Sequence, residues 1–436
     1  MKCIAIATLI ISLFSISLKA QKSTNSFDSL LNSTMNDTAV IDPNLAPMTT
    51  PTVMANKWNQ IHTKYFTINI GFALILDHNI ASQDSTSNHQ VGSIGTATEF
   101  RGDRIILSGQ LLFFKHPWRY MLSANFNGLD APPGDKTFSL IDWNIEIPVG
   151  KGLGWLTVGK TKEGVGYEYI LPGTQAFFTE RGSGTPAFVR QRNIGVRYSN
   201  SIFDRKMTYT FGFFNNWIET GKSFSANGSQ FTARVSGLPM YSSDRDLLHL
   251  AVGYKYTGAT DGIISFKARP EANTAPSFVN TAAFAAKGAN MLMLEGLKVF
   301  GPLSFLAEYM NAFVSSSQFN NPSFYYWQLA SSWFITGENR RYNRTTGNLG
   351  KLIPAKNFKF RRSSGTGTFE LGARYTQTNL SVPGINGGKV SRFTTAISWY
   401  PNAHFRYEIN YGIVKLDKSN LIGTTNFWQF RIQFEL

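Results

Sequence analysis

The sequence has almost no cysteine and no long apolar run. Its single cysteine in 436 residues is Cys3, which lies near the N-terminus. Disulfides and thiolate metal sites are therefore excluded for the rest of the chain. The apolar run from Ile4 to Leu18 is too short for a transmembrane helix, and no longer run follows. If this protein lies in a membrane, it must cross with strands.

The N-terminus has the pattern of a secretory signal peptide. Lys2 supplies the positive charge, the run from Ile4 to Leu18 the apolar core, and Ala20 the small residue before cleavage at Gln21. Residues 21–60 are rich in Ser, Thr, Asn and Pro and show little periodicity, which predicts a flexible periplasmic segment. We therefore expect a signal peptide at 1–20, this segment at 21–60 and one exported domain at 61–436.

The last ten residues alternate strictly between apolar and polar side chains. Trp428, Ile432 and the apolar residues between and after them share one face, whereas Arg431 and Glu435 lie on the other. A period of two indicates a β-strand. An apolar, aromatic face opposite a charged face fits lipid outside and water inside, which is the requirement of a transmembrane β-barrel.

Similar segments recur from Tyr65 onward and add up to an even number of strands, as a closed bacterial barrel requires. The fold class is therefore all-β, an antiparallel transmembrane barrel of about sixteen strands. The strands are predicted at 65–76, 104–114, 119–127, 138–147, 154–161, 192–200, 207–214, 230–236, 247–256, 289–299, 303–310, 324–335, 368–376, 391–400, 404–414 and 427–436. A weaker alternating piece at 263–269 is assigned to a loop.

The predicted connections differ between the two ends of the barrel. Those on the side of the C-terminus are short periplasmic turns, with 336–367 as a long basic exception. Those at the other end are all predicted to be long outer loops. They are 77–103, 128–137, 162–191, 215–229, 257–288, 311–323, 377–390 and 415–426.

Basic residues within the predicted strands lie on the face opposite the apolar one. A cation facing lipid at mid-bilayer costs roughly 2–4 kcal/mol, so this face should be the lumen. With 42 Lys and Arg against 27 Asp and Glu, the lumen is expected to be wet and basic. The residues are Arg104, Arg197, Arg234, Lys255, Arg374, Arg392, Arg406 and Arg431.

Two outer loops carry candidate pore features. Loop 162–191 contains the apolar patch Ala176-Phe177-Phe178, which predicts a loop folded into the barrel as a constriction. The alternatives are a loop that covers the outer rim or an oligomer contact. In loop 257–288, alternation would present Lys267 and Arg269 on one side as successive cationic positions for an anion. A solvated charged loop is the alternative there.

Other functions have weaker support. Nucleic acid binding is disfavoured because the chain is exported and has no basic run interleaved with stacking aromatics. The histidines lack metal-ligand spacing, and no Ser/His/Asp grouping can be argued from the sequence. We expect neither a cofactor nor an enzymatic reaction.

Several motifs of the chain are similar to those of one known family: Phe334–Arg340, Gly367–Leu371 with the following Arg374-Tyr375, and Trp399–Asn402 most strongly, and also Thr179-Glu180-Arg181 and Arg192–Gly195. Together they resemble the phosphate-selective porin O and P family. The similarity covers most of the chain from about Phe100 onward. The resemblance implies a sixteen-stranded, trimeric outer-membrane porin whose third outer loop folds inward. It also implies an anion route with arginines above and lysines at the constriction.

The resemblance assigns roles to particular positions. Arg101, Lys267 and Arg269 match upper basic positions, whereas Tyr169 and Thr174 occupy the places of the constriction lysines. Lys160 and Lys162 lie nearby in sequence. The expected anion pathway is Arg101, Lys160, Lys162, Arg181, Arg197, Lys267, Arg269, Arg374 and Arg392, and the expected constriction loop contains Tyr169, Thr174, Phe177 and Phe178.

The sequence therefore predicts a passive diffusion channel in the bacterial outer membrane. Small anions would be its permeants, with phosphate or polyphosphate as the sharper expectation, and its partners would be outer-membrane lipid and two further copies of the chain. Two alternatives stay open. One is a non-conducting barrel that serves an envelope assembly as a structural or binding component, and the other is a barrel enzyme with catalytic side chains clustered at the rim.

Overall fold

The computed structural model describes residues 59–126, 138–360 and 365–436. The signal peptide and nearly all of the segment at 21–60 lie outside these residues, so both remain predictions. The outer loop predicted at 128–137 also lies outside them.

Sixteen antiparallel strands form a closed barrel, which confirms the predicted fold class. The first strand closes the barrel by pairing with the last, from Ala73 opposite Glu435 to Gln83 opposite Thr425. The strands are β1 Phe66–Gln83, β2 Ala97–Leu111, β3 Trp118–Phe126, β4 Phe138–Pro148, β5 Trp155–Thr161, β6 Asn193–Ile202, β7 Met207–Phe214, β8 Gln230–Ser243, β9 Asp246–Gly258, β10 Gly288–Phe300, β11 Leu303–Ser315, β12 Ser323–Phe334, β13 Thr368–Val382, β14 Ile385–Tyr400, β15 Phe405–Lys418 and β16 Leu421–Glu435.

Strand alternation gives the wall two different faces. On β14 the inward Arg392 and Thr394 are buried, whereas the outward Phe393 and Ile397 are 46% and 55% exposed. The same arrangement holds on β10, where the outward Leu294 is 43% exposed and the inward Glu295 is buried. A belt of exposed apolar side chains around a polar interior is stable only when hydrocarbon surrounds it.

Two of the predicted outer loops are wrong. The strands run on through 377–390 and 415–426 and reverse at Pro383-Gly384 and at Ser419-Asn420. Ser419 and Asn420 have φ of 55° and 61°, the left-handed pair that a tight hairpin turn requires. Beyond the lipid belt the apolar side chains of these strands face inward, where Leu380 and Leu416 are buried in one cluster with residues 266–284, and the outward face carries polar residues such as Lys415. The outward apolar pattern that marks the strands therefore stops there.

Other long connections carry short elements. The helices are α1 Ser85–Val91, α2 Tyr167–Ile170, α3 Gly184–Phe188 and α4 Trp217–Thr220, with a 3₁₀ turn at Gly173–Gln175. Two-residue strands pair within the loops, Ile263–Ile264 with Phe284–Ala285, Lys267–Ala268 with Val279–Asn280, and Tyr342–Asn343 with Asn348–Leu349. Strand Gln60–His62 pairs with the start of β1. No helix in the described part of the chain is long and apolar enough to cross a membrane.

Candidate permeation pathway

Three connections enter the barrel and pack inside it. We name residues 162–192 loop A and residues 259–287 loop B, both from the outer end. Residues 335–354, from the end that holds the C-terminus, are the inner segment. Phe178 of loop A, Ala272 of loop B and Leu349 of the inner segment are each 1% exposed. The lumen is therefore lined by these segments as well as by the wall.

Wall arginines hold the aromatic patch of loop A. Arg406 of β15 donates to the carbonyl oxygens of Ala176 at 2.7 Å and Phe177 at 3.1 Å. The guanidinium of Arg374 on β13 lies 4.4 Å from the ring centroid of Phe178. A loop covering only the rim would leave this patch exposed. The loop therefore folds inward, as the patch predicted.

Glu271 fixes the tip of loop B. Its carboxylate accepts hydrogen bonds from Arg374 and from Thr376, each at 2.5 Å. Arg392 of β14 donates to the carbonyl oxygens of Pro270 at 2.6 Å and Glu271 at 3.0 Å. Glu271 has a φ of 61°, an unfavourable backbone conformation for a non-glycine residue. Buried charge-assisted hydrogen bonds are strong enough to hold it there.

The inner segment reaches the middle of the barrel. Arg340 pairs with Glu370 of β13 at 2.9 Å, and the Tyr342 hydroxyl lies 2.6 Å from Nδ1 of His249 on β9. The backbone N–H of Leu349 donates to the hydroxyl of Tyr167 in loop A at 3.2 Å. The long exception among the predicted periplasmic turns therefore begins as an internal element that contacts loop A.

A cavity of about 300 Å³ lies between loops A and B. Of its acidic residues, Glu180 is held by Arg101 at 2.5 Å, and Glu271 by Arg374. Burial is the largest single influence on the pKa of Glu180 and raises it, but Arg101, Arg431 and Arg181 together lower it by more, and the resulting pKa is about 2. Both carboxyl groups thus have a basic partner. The cations that remain at the cavity are Arg181, Lys267 and Arg269.

A second cavity of about 660 Å³ adjoins the first and shares Tyr169 and Lys267 with it. Its acids Glu219 and Asp261 form ion pairs with Lys160 and Lys222. Further cationic side chains on its wall are Arg190, Arg192 and Lys255, of which Arg192 pairs with Asp142 and Lys255 with Glu163. The two cavities together form a vestibule at the outer end that carries more positive than negative charge.

The structure brings several predicted residues together here. Arg101, Tyr169, Arg181, Lys267 and Arg269 all line the 300 Å³ cavity. Lys267 and Arg269 are exposed on one side of their short strand, whereas Phe266 and Ala268 on the other side are buried. This is the alternation the sequence predicted.

Other predicted residues lie deeper and bind backbone. The ammonium of Lys162 donates to the carbonyl oxygens of Ile170 at 2.8 Å and Leu171 at 3.0 Å. Arg197 donates to the carbonyl oxygen of Lys162 at 2.9 Å, and the carbonyl oxygen of Thr174 accepts from Gln433 at 2.9 Å. Like Arg374 and Arg392, these groups position loops A and B.

Lys160 does not join this group. It lies opposite Trp143 in the β4–β5 register, and Trp143 is 64% exposed on the outward face. Directly opposed residues share a face of the sheet, so Lys160 leaves the wall outward. Its ammonium donates to the carbonyl oxygen of Leu140 at 2.6 Å and pairs with Glu219 of the second cavity. Lys160 is therefore not the exposed cation of the pathway that the sequence predicted, but neutralises one of its acids.

Several residues of the site had no signal in the sequence. Glu271 follows the predicted cationic positions of loop B, but nothing in its neighbourhood indicated a buried carboxylate. Glu168 accepts from Arg374 at 3.1 Å and from the backbone N–H of Gly182 at 2.6 Å. Their partners lie far along the chain, so spacing could not reveal them. No cluster of three or more potential metal ligands occurs among the described residues.

A closed barrel with an apolar outer wall, a polar interior and an inward-folded loop defines an outer-membrane channel protein. The profile of the family described as phosphate-selective porin O and P matches residues 76–436. The chain belongs to this family, which places it in the bacterial outer membrane.

Solved porins share the fold at low sequence identity. The anion-selective porin from Comamonas acidovorans superposes with a TM-score of 0.52 at 11% identity, covering 85% of this chain and 100% of that one. OmpT of Vibrio cholerae in its trimer form gives 0.51 at 11% identity, covering 85% and 100%. OprB of Pseudomonas putida gives 0.52 at 10%, covering 86% and 94%.

One curated relative is an uncharacterised protein of Caulobacter vibrioides. It is 24% identical over 297 residues, which cover 66% of this chain and 58% of that protein. The match thus spans less than two thirds of the relative's length.

Proposed function

We propose that this protein is a passive diffusion channel that prefers anions. The observation that carries the proposal is the charge of the outer vestibule. Its buried acids are neutralised by arginines, whereas Lys267 and Arg269 are exposed at the 300 Å³ cavity. Basic side chains along a hydrated route lower the electrostatic barrier for anions, and exposed ones bind them weakly enough for release.

The test is the reversal potential of the channel in a planar bilayer under a salt gradient. We expect chloride to permeate more readily than potassium. A unit charge about 7 Å from the path of an ion in water changes its energy by about 0.6 kcal/mol, close to RT. Lys267→Gln with Arg269→Gln should therefore lower the chloride to potassium permeability ratio at least about twofold.

Lys415→Gln is the matched control. Lys415 is exposed on the outward face of β15, so its loss removes charge without changing the pathway. An unaltered ratio in the double variant, or a wild-type channel that prefers potassium, would refute the anion preference. Conductance no greater than background would instead favour a non-conducting barrel.

More specifically, we propose that phosphate or polyphosphate is the permeating anion. Arg181, Lys267 and Arg269 surround one cavity and could contact a multiply charged oxyanion together. Phosphate added to a chloride solution should then reduce the chloride current, and more strongly in the wild-type channel than in the Lys267→Gln, Arg269→Gln variant. Equal currents with and without phosphate would leave only a general preference for anions.

We also propose that the chain forms homotrimers, as OmpT does in its trimer form. The apolar outer wall offers the surface for such contacts. The mass of the protein in detergent by native mass spectrometry tests this, and a monomer mass would contradict it.

A further inference from the structure

The inner segment leaves the barrel across the edge of the wall at its periplasmic end. Leu352 is still buried and packs in a small apolar cluster with Phe334 and Tyr400. From residue 355 to residue 360 the side chains are all exposed. The backbone N–H of Phe358 donates to the carbonyl oxygen of Pro401, between β14 and β15, at 2.7 Å. We name residues 355–360 the periplasmic lip.

The lip lies against the lipid-facing side of the barrel. The ring centroid of Phe358 lies 5.2 Å from that of Trp399, which is on the outward face of β14. Trp399 stacks with Tyr407 at 5.5 Å and with Phe369 at 6.1 Å. Aromatic girdles of this kind mark the membrane interface of barrels. The lip therefore continues the girdle at the level of the headgroups.

The tip of the lip is apolar and uncovered. Phe360 is 91% exposed and meets Phe358 edge to face at 6.5 Å. A phenylalanine this exposed is unfavourable in water but suits the boundary between headgroups and acyl chains.

Positive charge surrounds these rings. Lys356 and Lys359 are exposed, and neither forms an ion pair within the described residues. Lys115, Lys151 and Lys206 are also exposed at this end of the barrel. Of the acids at this end, Asp204 pairs with Arg344, and the buried Glu338 accepts hydrogen bonds from Thr368 and from the backbone N–H of Ala355 in the lip.

We propose that the periplasmic lip binds anionic phospholipid headgroups of the inner leaflet of the outer membrane. Phe358 and Phe360 insert among the upper acyl chains, and Lys356 and Lys359 donate to the lipid phosphates. A soluble acidic partner would satisfy the lysines but would not need the contact of Phe358 with the lipid-facing Trp399. A phospholipid satisfies both. Part of the basic excess of the chain then serves the membrane and not the pore.

The test compares lipid retention by the full chain in mixed vesicles of phosphatidylcholine and phosphatidylglycerol. After mild detergent extraction, native mass spectrometry measures the ratio of phosphatidylglycerol to phosphatidylcholine that stays bound. We expect the wild type to retain phosphatidylglycerol preferentially. A basic residue near an anionic surface contributes about a fivefold preference, so Lys356→Gln with Lys359→Gln should lower the ratio by up to about that factor for each lysine.

The matched control is Lys287→Gln with Lys415→Gln, which removes two exposed lysines at the outer end. The control should keep the wild-type ratio. A wild type without preference, a lip variant with the wild-type ratio, or an equal loss in both variants would overturn the proposal. So would a change of oligomeric state in the lip variant, because the lip would then be a contact between chains. All four variant positions are exposed, so the variants should fold.

Discussion

Glu271 is a single residue on which several parts of the interior depend. Its carboxylate contacts Arg374 and Thr376 of the wall and accepts from the backbone N–H of Ser183 in loop A at 3.2 Å. Because it is buried, removing it leaves Arg374 without its closest counter-charge in a site with little water. The cost of breaking a buried pair in this way is roughly 3–5 kcal/mol.

Glu271→Ala should therefore destabilise the barrel by roughly 3–5 kcal/mol and release the tip of loop B. The urea midpoint of unfolding in lipid vesicles should fall. The single-channel conductance should rise. Glu271→Gln keeps hydrogen-bonding capacity and should have a smaller effect. Glu219→Gln affects a more exposed pair, which is worth about 1 kcal/mol or less. Equal effects of Glu271→Ala and Glu219→Gln would show that Glu271 does not hold the loop.

The pKa of Glu180, about 2, predicts how the selectivity of the channel depends on pH. A carboxyl group whose pKa is depressed in the folded state contributes stability above its unfolded pKa of about 4.3, and this contribution is lost as the pH falls towards 2. Between about pH 8 and pH 4 the group stays ionised and paired with Arg101. Chloride to potassium selectivity should thus be flat across that range.

Reversal potentials measured at several pH values check this expectation. Glu180→Gln leaves Arg101 without its counter-charge, so it should raise the preference for chloride already at neutral pH. A selectivity that changes steeply near pH 4.5 in the wild type would mean that Glu180 titrates as a free carboxyl group.

The path of loop A depends on two glycines that lie against the wall of the barrel. It passes the buried ring of Tyr326 on β12 at two glycines. A Cβ atom at Gly182 would lie 1.8 Å from the hydroxyl oxygen of Tyr326, and one at Gly184 would lie 2.0 Å from the ring. Only glycine permits this approach. Loop A therefore cannot keep its path if either position carries a side chain.

Gly184→Ala should displace loop A from the wall. We expect faster proteolysis within residues 162–192 and an altered single-channel conductance, with the barrel itself still folded. Gly95→Ala is the control, because a Cβ atom at Gly95 meets nothing within 4 Å. Wild-type proteolysis and conductance in Gly184→Ala would show that Tyr326 gives way instead.

Predicted and observed elements differ most in their length. All sixteen strands were present in the sequence pattern, but β13 to β16 continue beyond the predicted ends to turns such as Ser419-Asn420. Within the bilayer one face must be apolar, and this produces the alternation that prediction detects. Above it the apolar side chains of the strands face inward and pack against loop B, so the outward apolar pattern stops although strand pairing continues.

At the scale of the whole molecule the barrel is stable only in a medium that matches its outer surface. Leu294 lies on the outward face at about the middle of β10, whereas Leu421 lies at the outer end of β16 and is 50% exposed. A charge at the first position meets hydrocarbon and a charge at the second meets headgroups or water. Comparing substitutions at the two positions therefore distinguishes the effect of depth in the membrane from the effect of adding a charge.

Leu294→Arg should destabilise the barrel by about 2–4 kcal/mol, and Leu421→Arg by about 0–1 kcal/mol. Reversible urea unfolding in vesicles measures both values. Equal costs at the two positions would contradict the placement of the hydrocarbon belt around β10.

The residue pattern alone was enough to predict the barrel: its strands, the polar inner face, the distinction between the two ends and the inward aromatic patch of loop A. These features follow from local periodicity, because each strand must present apolar groups to lipid and polar groups to the lumen along its own length. Which charges remain available in the vestibule depends on contacts that form only in the folded barrel. The pairs that neutralise the others join residues far apart, such as Arg374 and Glu271 at a separation of 103 positions, or Arg406 and Ala176 at 230. The tertiary structure also paired Lys160 with Glu219 and placed the lip beside Trp399, because both contacts join residues that are distant in the sequence.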